Sequence, residues 1–230
     1  MRVLLLSAVC LAWERAVAKP HVFLIAIDDV GWADHEMYGK SDVPTPHLRA
    51  MAGEGIPLTG YYTQPVCSPT RTSFLTGMFP FRVGLQHTTT LLPGGTAAVP
   101  LDQPMLPELL SPLGYRTHHI GKWHLGYARW ANTPRGRGFE HSLGYLQGQE
   151  DYFTKTLGAG KIKGVTGADF WDSYDRADEE YSGNHSLPQY MERFEHMLAA
   201  YNKTHPSARD KVVNPYVLVG SSARARASLH

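Results

Sequence analysis

The run Val22-Phe23-Leu24-Ile25-Ala26-Ile27 holds no polar residue and ends at the adjacent acids Asp28-Asp29. A strand with one wet face alternates apolar and polar residues, whereas an unbroken apolar run of strand length suits burial on both faces of a parallel sheet. Helix and strand signals then alternate. Thr45-Pro46 reads as an N-cap and first helical residue, with Leu48, Met51 and Ala52 on one face and Gly53 and Gly55 as stops. Ile56 to Tyr62 is expected as the next strand, confined by Pro57 to an edge or to its first residues. Ser68-Pro69 opens a second helix closed by Gly77. Met105 to Leu113 reads as a third, ended early by Pro112, and Tyr115 to Ile120 as a short strand after Gly114. Leu157 to Asp169, rich in Gly and Lys, is expected as a surface loop or hairpin. Tyr190, Met191, Phe194, Met197, Leu198 and Tyr201 recur at helical spacing as a core-facing stripe. Val212 to Gly220 starts like another buried strand, and Ser221 to Leu229 shows no apolar period and reads as a tail. This order predicts an α/β fold with a mainly parallel sheet flanked by helices.

Ligand sites in such sheets gather beyond the carboxyl ends of the strands. Two polar clusters fall just there: Asp28-Asp29, and Lys122-Trp123-His124 after the strand expected at Tyr115 to Ile120. A third element is Cys67-Ser68-Pro69-Thr70-Arg71, a cysteine at a helix start with an arginine one turn on. The free N–H groups and positive dipole end at a helix start favour an anion and activate a thiol. Arg71 shares a helix face with Cys67 and offers a planar fork of donors for sulfate or phosphate oxygens. Lys122 and His124 lie two apart, which in an extended segment puts them on one side; a lysine offsets developing negative charge and a histidine moves a proton. Asp28 and Asp29 are oxygen donors of the type a hard divalent cation takes. Each part has a bland alternative: turn chemistry for the acids, surface positions for Lys122 and His124, a small core residue for Cys67. Their joint occurrence suits displacement at an anionic tetrahedral ester, where positioning and electrostatics do most of the catalysis.

Met1-Arg2, the apolar Val3 to Trp13 and Ala16-Val17-Ala18 compose a signal peptide, residues 1–18, too short in its apolar part to span a bilayer. Its removal takes Cys10 with it, so Cys67 stands alone in an oxidising compartment where disulfides are the rule. Asn184-His185-Ser186 and Asn202-Lys203-Thr204 are glycosylation acceptors in keeping with secretory transit. A composition 43% hydrophobic and 19% charged is that of a globular core, and a formal net charge of +1 argues against a nucleic-acid binder. Gly158 to Gly164 lacks both the dinucleotide spacing and the phosphate-loop ending, and His118-His119 with His124 forms no catalytic zinc pattern.

Cys67-Ser68-Pro69-Thr70-Arg71 followed by Leu75-Thr76-Gly77 resembles the first signature of the type I sulfatases, and Gly121-Lys122-Trp123-His124-Leu125-Gly126 resembles their second. The strand ending in Asp28-Asp29 with Gly31-Trp32 after it is similar to that family's opening segment. Tyr61 to Pro65, Gly84 to His87, Arg137 to Phe139, Gly144 to Leu146 and Glu150 to Tyr152 look most like the arylsulfatase B branch, the N-acetylgalactosamine-4-sulfatases. The resemblance covers residues 21 to 155 well and little beyond.

The resemblance implies an alkaline-phosphatase-like fold and a sulfuric ester hydrolase acting on glycosaminoglycan sugars or aryl sulfates in the secretory pathway, lysosomal or secreted. It implies that a formylglycine-generating enzyme converts Cys67 to formylglycine, whose hydrate attacks the sulfate sulfur and then eliminates sulfate. It carries over Asp28, Asp29 and modified Cys67 as calcium ligands, Arg71 as holding the formylglycine, His124 as orienting its hydroxyl and Lys122 as a sulfate contact. Family members add a metal-binding Asp-Asn pair, a second lysine and another histidine from later strands, and no Asp-Asn dipeptide follows the second signature here. The expectation is an incomplete N-terminal sulfatase catalytic domain over residues 19–220 and an aberrant tail over 221–230. The alternatives are a truncated, non-catalytic secreted relative and a phosphate or phosphonate ester hydrolase on the same scaffold.

Overall fold

The computed structural model describes residues 20–38, 41–87, 91–157, 167–204 and 214–222. The expected leader, Cys10, the centre of the 157–169 loop and everything past Ser222 lie outside them. Among the described residues one sheet is built from β1 (Val22–Asp28), β2 (Tyr115–Lys122), β3 (His141–Tyr145), β4 (Trp171–Asp172), β5 (Asp175–Arg176) and β6 (Asn214–Ser222), in the order β1-β6-β2-β3-β4-β5. β1, β6, β2 and β3 run parallel, while β4 and β5 add an antiparallel fringe. The α/β reading with a mainly parallel sheet therefore holds. β6, the last strand in sequence, is inserted between β1 and β2, pairing Leu24 with Leu218 on one side and His119 with Leu218 on the other.

Helices cover both faces. α1 (Pro46–Glu54), α2 (Cys67–Thr76) and α3 (Leu106–Leu110) precede β2, and α4 (Asp178–Tyr181) and α5 (Ser186–Thr204) follow β5. One apolar cluster joins Leu75, Leu85, Met105, Trp123 and Phe139, with Val22, Leu24 and Ala26 of β1 packed against it. The other joins Ile120, Leu143 and Phe170 to Tyr190 and Met197 of α5. Strand alternation sends neighbours of β2 to opposite layers: His118 meets Tyr201 of α5, and His119 packs on Trp123 and Phe139.

Several expectations change at this level. Among the described residues β1 is half-buried on one face, through Val22, Leu24 and Ala26; Phe23, Ile25 and Ile27 are exposed on the other, although Phe23 meets Phe194 edge-on. No strand forms over 56–62, where Ile56, Leu58, Tyr61 and Tyr62 are exposed and Pro57 has no N–H for a ladder. α2 begins at Cys67, not Ser68, with Val66 as its N-cap residue, and Gly77 ends it in the left-handed conformation as its lack of a Cβ allows. β2 continues to Lys122, so that residue ends the strand and does not follow it. Thr45 precedes α1 but makes no cap bond; its hydroxyl accepts from the Glu36 N–H. In the α5 stripe Tyr190 and Met197 are buried and Met191 is not. β6 extends through Ser222, two residues into the segment read as tail. Thr156 and Ala168 form an isolated antiparallel bridge, and residues 158–166 between them lie outside the described residues.

Candidate active site

The end of β2, the end of β1 and the start of α2 converge. Cys67 opens α2 behind Val66, which makes no side-chain cap bond to the first turn. Its Sγ lies 3.0 Å from Nδ1 of His124. Arg71, one turn on and almost wholly buried, donates to the Lys122 carbonyl at 2.6 Å and reaches Asp28 Oδ2 at 3.7 Å. Lys122, likewise buried, donates to the same Asp28 oxygen at 2.5 Å. Cys67, Arg71, Lys122, His124 and Asp28 thus stand together as the sequence led us to expect.

Lys122 and His124 reach the site by a different route from the one expected. The segment is not a plain extension: His124 has φ 53°, a left-handed conformation that few non-glycine residues adopt. Between them Trp123 turns into the core, donating from its indole nitrogen to the carbonyls of Gly126 and Asn132. The chain then turns at Gly126, φ 98°, where a Cβ would sit 2.3 Å from that of Ala98. This close approach explains the final glycine of the Gly121-Gly126 motif.

Charge follows from burial and these pairings. Burial raises the Asp28 pKa, but the attraction and hydrogen bond of Lys122, then Arg71 and His124, outweigh it and hold the carboxyl below its ordinary value. Burial lowers the Arg71 pKa against the pull of Asp28. His124 is pushed down to about 3, chiefly by burial and then by Lys122 and Arg71, so the ring is neutral near pH 7. The Leu91 backbone engages the ring as well. Nδ1 is the ring nitrogen turned to Cys67, and the tautomer sets which of the two donates. Two cations against one carboxylate give the space beside Cys67 a positive character suited to an anionic oxygen cluster.

Of the expected metal donors, Asp28 meets the two cations and Cys67 meets His124. Asp29, exposed and with φ 58°, begins the turn after β1. Among the described residues no three His, Cys, Asp or Glu side chains converge as a metal cage. Calcium takes six to eight oxygens, so these donors supply only part of its shell. His118 and His119 are packing residues, not ligands: His118 bonds the Tyr201 hydroxyl at 2.5 Å and His119 the Lys122 carbonyl at 3.2 Å.

Sequence reasoning missed the groups that seat His124. The β2–β3 ladder continues past the strand ends, with Trp123 N–H donating to Tyr145 and His124 N–H to Leu146. Both Asp169 carboxylate oxygens in turn accept from the Leu146 and Gln147 N–H groups, at 3.0 and 2.8 Å. An aspartate 43 residues beyond the end of the second signature gives no local sign of this task. A cavity of about 440 Å³ lies at the other end of β1, lined by Val22, Tyr61, Tyr62, Thr70 and Phe74, and holds none of these groups.

The Sulfatase family model matches residues 20–218. Mouse (Mus musculus) arylsulfatase J is 38% identical over 195 residues, which is 85% of this chain and 32% of that protein. Pig (Sus scrofa) N-acetylgalactosamine-6-sulfatase is 37% identical over 151 residues, 61% of this chain and 28% of that one. The chain spans about a third of the length of these curated relatives, and they do not single out the arylsulfatase B branch. Among solved structures, Ps i-CgsB superposes with a TM-score of 0.74 at 25% identity, over 90% of this chain and 46% of its own. BT4656, solved with its substrate D-glucosamine-2-N,6-O-disulfate, has a TM-score of 0.67 at 23% identity, over 90% of this chain and 35% of its own. With a family match along nearly the whole described length and both signatures folded around one helix start, the chain belongs to the Sulfatase family.

Proposed function

We propose that this chain carries the nucleophile side of a sulfuric ester hydrolase that removes sulfate from sugars or aryl groups. The observation that carries the reading is the 3.0 Å contact of Cys67 Sγ with a neutral His124 ring, beside two buried cations at a helix start. Residue 67 is the one a formylglycine-generating enzyme would oxidise; formylglycine, when formed, supplies an oxygen nucleophile and a route to release the sulfate. His124 is placed to take a proton from the group on residue 67 and return it, because burial keeps the ring uncharged and Nδ1 faces that group. Arg71 and Lys122 offset charge on the non-bridging sulfate oxygens, and Asp28 holds both in register until an anion competes for them. Asp28, Asp29 and modified Cys67 would be the oxygen donors offered to a calcium ion, and no step is assigned to it. The relation to N-acetylgalactosamine-6-sulfatase supports a sulfated sugar as substrate.

Secretory transit, to a lysosome or out of the cell, belongs to the same proposal, with Asn184 and Asn202 as glycan acceptors. Asn184 is exposed just ahead of α5, and Asn202 lies within that helix. No helix among the described residues is long and apolar enough to cross a membrane.

Mass spectrometry of the tryptic peptide containing residue 67, from cells that carry the modifying enzyme, tests the first step. Formylglycine is expected, and an unmodified thiol in every molecule would count against the reading. Parallel assays with aryl sulfate and aryl phosphate then separate a sulfatase from a phosphate or phosphonate ester hydrolase. A modified protein inert toward both is a non-catalytic relative.

A further inference from the structure

We propose that Gly148 is a positioning residue for His124: its missing side chain is the space in which the imidazole sits against residue 67. This rests on the reading of His124 given above. A Cβ built at Gly148 would lie 2.6 Å from Cε1, 2.7 Å from Nε2 and 3.1 Å from Nδ1 of His124. The backbone of Gly148 is not in the left-handed region. An alanine there escapes the left-handed strain, and the three atoms nearest its Cβ all belong to the ring, so the ring is what the glycine makes room for.

The surroundings decide what gives way. His124 is pinned at its own N–H by the Leu146 carbonyl at 3.1 Å. The segment after β3 that leads to Gly148 is held by the buried Asp169 carboxylate, and the Gly148 N–H donates to the Gln147 side-chain oxygen at 2.9 Å. With both backbones tied, the soft coordinates are the His124 side-chain torsions. A methyl group at 148 turns the ring away and breaks the 3.0 Å contact with Cys67. Misplacing a catalytic group by roughly 1 Å costs on the order of a hundredfold in rate.

The test uses the whole chain made without the modifying enzyme, so that residue 67 remains a thiol. Iodoacetamide alkylation of Cys67 at one fixed pH is followed on its own peptide by mass spectrometry. Wild type, His124→Ala, Gly148→Ala and the double variant are compared. Loss of the ring contact in His124→Ala is expected to change the rate by about tenfold, Gly148→Ala to change it in the same direction by a similar factor, and the double variant to match His124→Ala. Non-additivity of this kind is not produced by a purely structural glycine. A Gly148→Ala rate equal to wild type, or an undiminished Gly148→Ala effect once the ring is gone, overturns the proposal. If Gly148→Ala does not fold, a folded double variant supports the proposal and an equally misfolded one overturns it. A His124→Ala rate equal to wild type would remove the Cys67–His124 pairing itself. If protein made with the modifying enzyme is inert toward sulfate esters while the thiol form shows the expected alkylation pattern, the sulfatase reading falls and this one stands.

Discussion

Glu150→Gln should change the pH dependence of stability by an amount the structure sets. Glu150 follows β3 in a buried polar knot, where it accepts from the hydroxyls of Ser186 and of Tyr190, the latter at 3.0 Å. Lys155 stands beside it, its ammonium donating to the carbonyls of Tyr152 and Asn184 and to Ser186 Oγ at 2.6, 2.7 and 2.8 Å. Burial pushes the Glu150 pKa from 4.5 up to about 7, against the pull of both hydroxyls and of Lys155. A raised carboxyl value means the folded state binds more protons than the unfolded one between these two values. Stability from this group is therefore present below 4.5 and lost as pH rises toward about 7. At about 1.4 kcal/mol per pH unit the loss approaches about 3 kcal/mol. The buried histidines have the opposite slope, so the total curve does not isolate the effect, but the difference between variant and wild type does. The substituted amide keeps the shape and one acceptor but cannot ionise. Urea denaturation followed by tryptophan fluorescence should show the variant gaining about 3 kcal/mol on wild type between about pH 4.5 and about pH 7.5. A difference constant to within about 0.5 kcal/mol across that range would refute the argument, because it would mean that the charged carboxylate is as well solvated in the fold as out of it.

Removing the shared anion by Asp28→Asn leaves Lys122 and Arg71 buried without a counter-charge, and chemical denaturation at neutral pH should show a loss of about 3 kcal/mol. His118, pushed down to about 4 mainly by burial, stays neutral in the fold and protonates near 6.5 when unfolded. Its contribution is complete above 6.5 and fades as pH falls toward about 4, so His118→Gln should flatten acid denaturation by up to about 3 kcal/mol over that window. Gly126→Ala forces a side chain into φ 98° and onto Ala98, and thermal melting should reveal a loss of about 2–4 kcal/mol.

What was legible in advance was local. Gly77 and Gly114 end their elements in left-handed conformations, Pro112 falls where α3 tightens into a 3-10 turn, and the α5 stripe buries Tyr190 and Met197. These are choices a few neighbouring residues make through dihedral preference and periodicity. The 56–62 segment shows the limit of such reasoning: its composition suits a strand, yet no neighbouring strand pairs with it among the described residues and its apolar side chains face solvent. β1 errs the same way, since its unbroken apolar run implies a cover on each face, and among the described residues the Phe23 face has little beyond the edge of Phe194.

The residue types of the site, and the helix start that presents the first of them, were determined by the sequence alone, because short-range chemistry specifies them. Who meets whom was decided only in three dimensions. Cys67 and His124 are 57 positions apart, Arg71 and the Lys122 carbonyl 51, and Lys122 and Asp28 94. No local preference encodes such pairs; they exist because β1 and β2 end at the same edge of one sheet with β6 between them. The tertiary fold likewise turned Asp28 toward two cations and gave Gly148 its task, since a vacancy beside an imidazole is a property of packing and not of any stretch of chain.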